Sequence, residues 1–209
     1  MALLLRPLDD TLADQLVELA RLSWTDGATA AAVAAFGWIP DGSRMNAFTT
    51  PGGHPVYPES FGYPAGRDTE CVLPFAYAYE PDEDDFEGER EGCRTNLSWF
   101  ATFYDEDDRW HFQRMSGRAD FDEAWRAATA LFTARLGEPD VLTRVADGDE
   151  DVPAWHYAAW RCGDNALVVG QCSDAISYST FEQAVVWLGA YPAARPWPEA
   201  GEFWRLLEG

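Results

Sequence analysis

Residues 154–179 read AWHYAAWRCGDNALVVGQCSDAISYS. Three strand-like runs, Ala154 to Arg161, Ala166 to Gln171 and Ala175 to Ser179, lie here, the first two parted by Cys162, Gly163, Asp164 and Asn165. Short apolar runs bounded by Gly, Asp and Asn are strand and turn signals, and breaks of a few residues join antiparallel neighbours, so the stretch predicts a meander. Upstream, Phe121, Trp125, Ala128, Leu131, Phe132 and Leu136 repeat at helical spacing and predict a helix over 121–136. Asp120 or Asp122 is its cap candidate, and Gly137 and Pro139 end it. Downstream, Phe181 to Leu188 reads as the strand that closes the sheet or as the opening of a short helix. Glu199 to Leu207 reads as a terminal helix carrying Phe203, Trp204 and Leu207.

The N-terminal part has the same ingredients. Leu12, Leu16, Leu19, Ala20 and Ser23 share a face and predict a helix over 8–24 with Asp9 and Asp10 at its start; a second helix runs from about Ala28 to Phe36 and stops at Gly37. The Gly- and Pro-rich stretch 41–68 reads as loop, with strand candidates near Met45 to Thr49 and around Val56. Cys71 to Tyr79 alternates as a half-buried strand does, and Pro74 places it at an edge or at a bulge. Glu80 to Glu91, with eight acids and one Arg, reads as a solvated loop. Asn96 to Tyr104 and Arg109 to Met115 read as a hairpin whose tip is Asp105, Glu106, Asp107 and Asp108.

Runs of hairpin-like strands with helices between them predict a single α+β domain over residues 1–209, an antiparallel sheet of hairpins and meander with two to three helices packed on it. A weak echo, ATAAAVAAFG at 28–37 and ATALFTARLG at 128–137, also admits two helix-plus-meander halves, about 1–118 and 119–209.

The charge is lopsided: 36 Asp and Glu face 15 Arg and no lysine, a formal charge of -21 over 209 residues. Such a balance favours a cationic partner and disfavours nucleic acid and anionic membranes. The missing lysine removes chemistries that need a side-chain amine: Walker-type phosphate loops, kinases and pyridoxal enzymes. No stretch approaches the roughly 18 apolar residues of a membrane span. The leucine run in Met1 to Pro7 is too short for a signal peptide, so a cytoplasmic protein is expected. Cys71, Cys93, Cys162 and Cys172 form no Cys-x-x-Cys pair and are expected to be reduced thiols, neither disulfide-bonded nor zinc-binding.

Site signals are sparse, and none calls for a metal or a cofactor. Asp147, Asp149 and Asp151 match the first positions of a calcium loop, but Val152 stands where the turn needs Gly and Ala158 where a bidentate Glu is needed. No nucleophile elbow occurs. His54, in the sequence GGHPVYP, is expected on an accessible loop. His111 and His156, each between two aromatic residues, are expected to be half-exposed on strands. The candidates for binding are the acids Asp82, Glu83, Asp84, Asp85, Asp105, Glu106, Asp107 and Asp108, with Trp110 expected to point outward as an aromatic anchor beside them. Trp99 and Phe103 are expected to be covered.

Leu136, Gly137, Glu138 and Pro139, then an acidic loop, then Trp160 and Arg161, a turn and an apolar strand, form an ordering that resembles actinobacterial immunity-type proteins of polymorphic toxin systems, mainly over residues 120–180. The resemblance implies a small acidic cytoplasmic α+β protein that binds and blocks a cognate toxin, and it carries over no functional residue. Charge and resemblance together give the reading of an acidic protein that neutralises or regulates a cationic protein partner. The alternative is an enzyme drawing an acid–base pair from His54, His111 or His156 and a nearby carboxylate. A deep pocket joining a histidine to a carboxylate would favour the enzyme.

Overall fold

The computed structural model describes residues 1–23, 26–40, 48–57, 70–103, 109–144, 154–174 and 176–207. In chain order these hold β1 (Ala2–Leu5), α1 (Asp10–Arg21), α2 (Asp26–Ala35), β2 (Ile39–Pro40), β3 (Phe48–Thr49), β4 (Pro55–Val56), β5 (Glu70–Tyr79), α3 (Glu83–Arg90), α4 (Asn96–Ala101), β6 (His111–Gln113) and α5 (Arg118–Leu136). There follow β7 (Val141–Arg144), β8 (His156–Cys162), β9 (Asn165–Ser173), β10 (Glu182–Ala190) and α6 (Trp204–Leu207). The fold is α+β. Seven strands form one antiparallel sheet in the order β6-β1-β5-β10-β9-β8-β7, and β2, β3 and β4 form a small second sheet. Strands from residues 1–118 make one block of the large sheet and strands from 119–209 the other, joined where β5 pairs with β10.

β8 and β9 realise the expected meander, turning between the paired Cys162 and Asn165 with Gly163 at φ +73°. The expected third strand at 175–179 is instead a turn over 176–179, with Ala175 outside the described residues, and Phe181 to Leu188 takes its strand alternative as β10. β5 lies inside the sheet, between β1 and β10, so Pro74 marks no edge. It marks a bulge: Ala184 pairs with Ala76 but Val185 with Pro74, which skips Phe75 where proline has no N–H to give the ladder.

Helices cover both faces. On one, α5 lays Phe121, Trp125, Ala128 and Phe132 against Leu73, Phe75, Ala158, Trp160, Leu167, Val169 and Val186, with Leu12, Leu16 and Leu19 of α1 beside it. Burial of each large side chain contributes about 1.5–3 kcal/mol. Gly117 is the N-cap of α5, and Asp120 caps it from within by accepting the Gly117 N–H at 2.8 Å. Gly137 closes the helix at φ +84°, and its carbonyl accepts the Trp160 indole N–H at 2.9 Å. The opposite face holds two clusters: Tyr157, Val168, Trp187 and Tyr191 under Phe203 and Leu207 of the C-terminal segment, and Ala2, Leu4, Tyr77, Tyr79 and Trp110 under Leu97 and Phe100 of α4. The sheet thus carries more helices than the two or three expected.

Two further segments differ from their sequence reading. Glu80 to Glu91 is not a loop but contains α3, and the described residues of Asn96 to Tyr104, 96–103, form no strand but contain α4. The hairpin therefore does not exist: β6 pairs with β1, the leucine run that sequence left unassigned. The acidic tip 105–108 and the aspartates 147–151 lie outside the described residues. Among the described residues, no helix is long and apolar enough to cross a membrane.

Candidate functional site

The acids of segment 80–91 divide into two kinds. Asp82 is the N-cap of α3, accepting the Asp85 N–H at 3.0 Å, and the Asp85 carboxylate reaches back to the Asp82 N–H at 3.3 Å, a reciprocal capping box. Asp85 is only 4% exposed and also accepts the Tyr79 hydroxyl at 2.5 Å and the Leu97 N–H at 3.0 Å, which ties β5, α3 and α4 together. Burial alone would raise its pKa, but these hydrogen bonds to the anion outweigh it and hold the carboxyl below the ordinary range. Expected as a solvated binding acid, Asp85 is a structural group. Asp82, Glu83, Asp84 and Glu87 are exposed. Gly88 lets α3 approach α4 closely: a Cβ there would stand 2.6 Å from the Thr95 methyl.

The aromatic expectation is inverted. Trp110 is 7% exposed and packs on Tyr77 at 5.7 Å between ring centroids, whereas Trp99 is 40% exposed. A strand over 96–104 would have turned Trp99 and Phe103 to one side together; the helix instead turns Leu97 and Phe100 inward and leaves Trp99 at the surface. Phe86 on α3 and Phe112 on β6 are also partly exposed, and Arg114 lies over the Phe86 ring while paired with Glu89.

A further exposed aromatic gave no sequence signal. Asp174 is buried and accepts the N–H groups of Ile176 and Ser177 at 3.3 and 2.9 Å, while the Ser177 hydroxyl accepts the Phe181 N–H at 3.0 Å. This turn holds Tyr178 and Ser179 in the left-handed region, at φ 55° and 62°, and leaves Tyr178 93% exposed. Phe181, at the end of the turn, packs on Trp99 at 4.7 Å and on Tyr79 at 5.4 Å. The turn, α4 and the start of α3 therefore share one end of the sheet.

The three histidines occupy different environments. His54 is not on an accessible loop. It is buried, with Nε2 3.0 Å from the Arg6 carbonyl oxygen, and the Arg6 and Arg109 guanidinium groups close over its turn by donating to the Gly52 and Pro51 carbonyls. Burial pushes its pKa down to about 4. His111 is exposed on β6. His156 is half-buried, stacked on Trp125 at 4.9 Å, with Nε2 3.5 Å from Asp122 Oδ2. Burial lowers its pKa despite that carboxylate.

Asp122 belongs to a wider network at the start of α5. Its Oδ1 accepts from Arg118 Nε at 3.3 Å and from Gln171 Nε2 at 3.1 Å, and Arg118 Nη1 donates to Glu182 at 2.6 Å. Glu182 also accepts the Trp155 indole N–H at 2.9 Å. These groups satisfy one another and fix α5 to β8, β9 and β10. The sequence signals were the Arg118–Asp122 spacing on one helix face and Gln171 inside an apolar strand.

Between α5 and the β1–β6 edge opens a cleft of about 290 Å³. Leu5, Leu8, Phe75 and Leu131 line it, with Asp120, Glu123 and Gln113 among its polar residues and no histidine or cysteine. Among the described residues, no cluster of His, Cys, Asp and Glu could hold a metal ion. None of the four cysteines is in a disulfide; Cys71 and Cys172 are buried and Cys93 is exposed. No protein-family model matches the chain, and comparisons with curated proteins and with solved structures give no match.

Proposed function

We propose that this protein binds a cationic protein partner and thereby neutralises or regulates it, a cognate toxin in the cytoplasm being the favoured case. One observation carries the reading: exposed Glu83, Asp84 and Glu87 stand on a helix beside the part-exposed rings of Phe86 and Trp99, at the end of the sheet that also presents Tyr178. Exposed carboxylates speed encounter with a cation and act from the rim, whereas aromatic side chains supply the contacts that slow release. The charge of -21 adds long-range attraction.

A pull-down from native cell extract at low and high salt tests this. A basic protein should be captured at low salt, less by the Glu83→Gln, Asp84→Asn, Glu87→Gln triple variant, and released faster from Trp99→Ala. Equal capture by wild type and the triple variant at low salt would refute the assignment of this surface.

The His156–Asp122 contact favours a second reading, an enzyme using that pair for proton transfer. It ranks below the first because Asp122 also serves Arg118 and Gln171, and the cleft contains no histidine. A turnover found with any substrate and abolished in His156→Ala without loss of folding would reverse the order.

A further inference from the structure

We propose that the cleft between α5 and the β1–β6 edge receives one lysine or arginine side chain of the partner, its aliphatic stem inside and its cationic head at Asp120 and Glu123. The inference rests on the reading of the chain as a binder of a cationic protein, and it adds a second contact point on the opposite face of the sheet from α4.

The size fits one side chain. About 290 Å³ lies at the lower bound of pockets that hold drug-sized ligands, which leaves room for one long side chain but not for a helix. The lining also matches a side chain of mixed character. Leu5, Leu8, Phe75 and Leu131 supply an apolar wall, while the carboxylates both belong to the first turns of α5. Long basic side chains bury their methylene stems against apolar surface while the charge stays near water. Neither carboxylate is exhausted by its present partner. Asp120 accepts one N–H, from Gly117, and a carboxylate has roughly four acceptor sites. Glu123 pairs with Arg126 at 3.2 Å, both side chains being more than half exposed, an arrangement that contributes little and yields easily to a competitor. An anionic occupant would be repelled by both carboxylates, and a neutral apolar one would gain nothing from them.

The test uses alkyl probes with the whole isotope-labelled chain. n-Hexylammonium, n-hexanol and n-hexanoate share a stem and differ in the head, and backbone amide shifts at Leu5, Ala124 and Ala127 report occupancy. Hexylammonium should bind saturably, hexanol about fivefold more weakly, the size of one exposed ion pair, and hexanoate not at all. Asp120→Asn with Glu123→Gln should bring hexylammonium down to the level of hexanol. Ala127→Phe, made at an exposed position on the α5 wall, should abolish both without shifting the melting temperature. Equal binding of hexylammonium and hexanol would show a purely apolar site and overturn the proposal. So would shifts that gather on α3, or self-association of the chain that Ala127→Phe abolishes, the sign of a second copy as occupant. Once a partner is in hand the two readings separate. Capture that survives Ala127→Phe but falls in the α3 triple variant sinks the cleft alone; hexylammonium binding without any captured cationic protein sinks the broader reading.

Discussion

The two faces of the sheet are covered by helices of opposite construction. α5 has 19 residues and is held by an apolar stripe, Phe121, Trp125, Ala128 and Phe132. α3 and α4 have 8 and 6 residues, and both begin with a capping box, Asp82 with Asp85 and Thr95 with Ser98. Isolated helices of that length do not persist in water, because nucleation costs more than a few hydrogen bonds return. Their stability comes from side chains that satisfy the N-terminal N–H groups, from one carboxylate, Asp85, that links both helices to Tyr79, and, for α4, from the burial of Leu97 and Phe100. Periodic burial builds one face; local polar bonding builds the first layer of the other. An acid inside an acidic run can therefore be either a solvated charge or a structural pin, and burial decides which.

Breaking each face at its apolar centre should show how far they share one cooperative core. Phe132→Ala on the α5 face and Trp110→Ala on the α4 face each remove a buried ring, and each should cost about 3–5 kcal/mol in urea unfolding. Trp110 is a packing residue, so its loss should appear as stability before it appears in any binding rate. A Trp110→Ala protein as stable as wild type would mean that the α4 face is a loosely attached layer.

The next largest effect isolates the polar construction. Asp85→Ala leaves the Tyr79 hydroxyl and the Leu97 N–H without their acceptor and should cost about 2–3 kcal/mol, with loss of helical signal confined to α3 and α4. Asp84→Ala, one residue away and exposed, should leave the unfolding midpoint where it was. If the two variants match, the pin is an illusion of the sequence run and the faces are built alike.

Acid titration sharpens the same contrast. A histidine whose folded pKa is depressed lends stability that is complete above its unfolded pKa and lost as the pH falls through the folded one, which for His54 sets a window from 6.5 down to about 4. Asp85 is also depressed when folded, so its contribution is present above the ordinary carboxylate pKa of 3.8 and disappears below it. His54→Gln should flatten the melting-temperature profile in the first window, and Asp85→Asn only in the lower one. A single slope unaffected by either substitution would contradict both assignments.

What the sequence disclosed follows from this difference in construction. Helices α1 and α5 and strands β8 and β9 advertise themselves through spacing, because each buries a regular set of apolar positions. The bulge at Pro74 is legible too, since proline cannot feed a ladder. α3 and α4 are not, because Asp82, Asp85, Thr95 and Ser98 look like any polar run until their bonds are seen. Reading α4 as a strand changed which aromatic side chains face water, so Trp110 and Trp99 exchanged roles. The burial of His54 depends on Arg6 and Arg109, 48 positions before it and 55 after it by their numbering, and no local pattern carries that contact. Tyr178 is presented by a turn built on Asp174 and Ser177, in a stretch whose alternation imitates a strand.

The smallest effect on folding should be the largest on partner encounter. Glu83, Asp84 and Glu87 are exposed on α3, and surface substitutions away from caps and buried bonds stay within about 0.5 kcal/mol, so the Glu83→Gln, Asp84→Asn, Glu87→Gln triple variant should melt like wild type. Asp82 and Asp85 are left in place because both cap the helix. At low ionic strength the triple variant should associate with a captured basic partner more slowly than wild type. Salt should close the gap, since charges more than a Debye length of about 8 Å apart are screened at physiological strength. Dissociation should hardly change, because rim charges act on approach and the aromatic contacts of Trp99 and Phe86 govern release. An on-rate equal to wild type at low salt would assign these acids to solubility and leave them with no part in recognition.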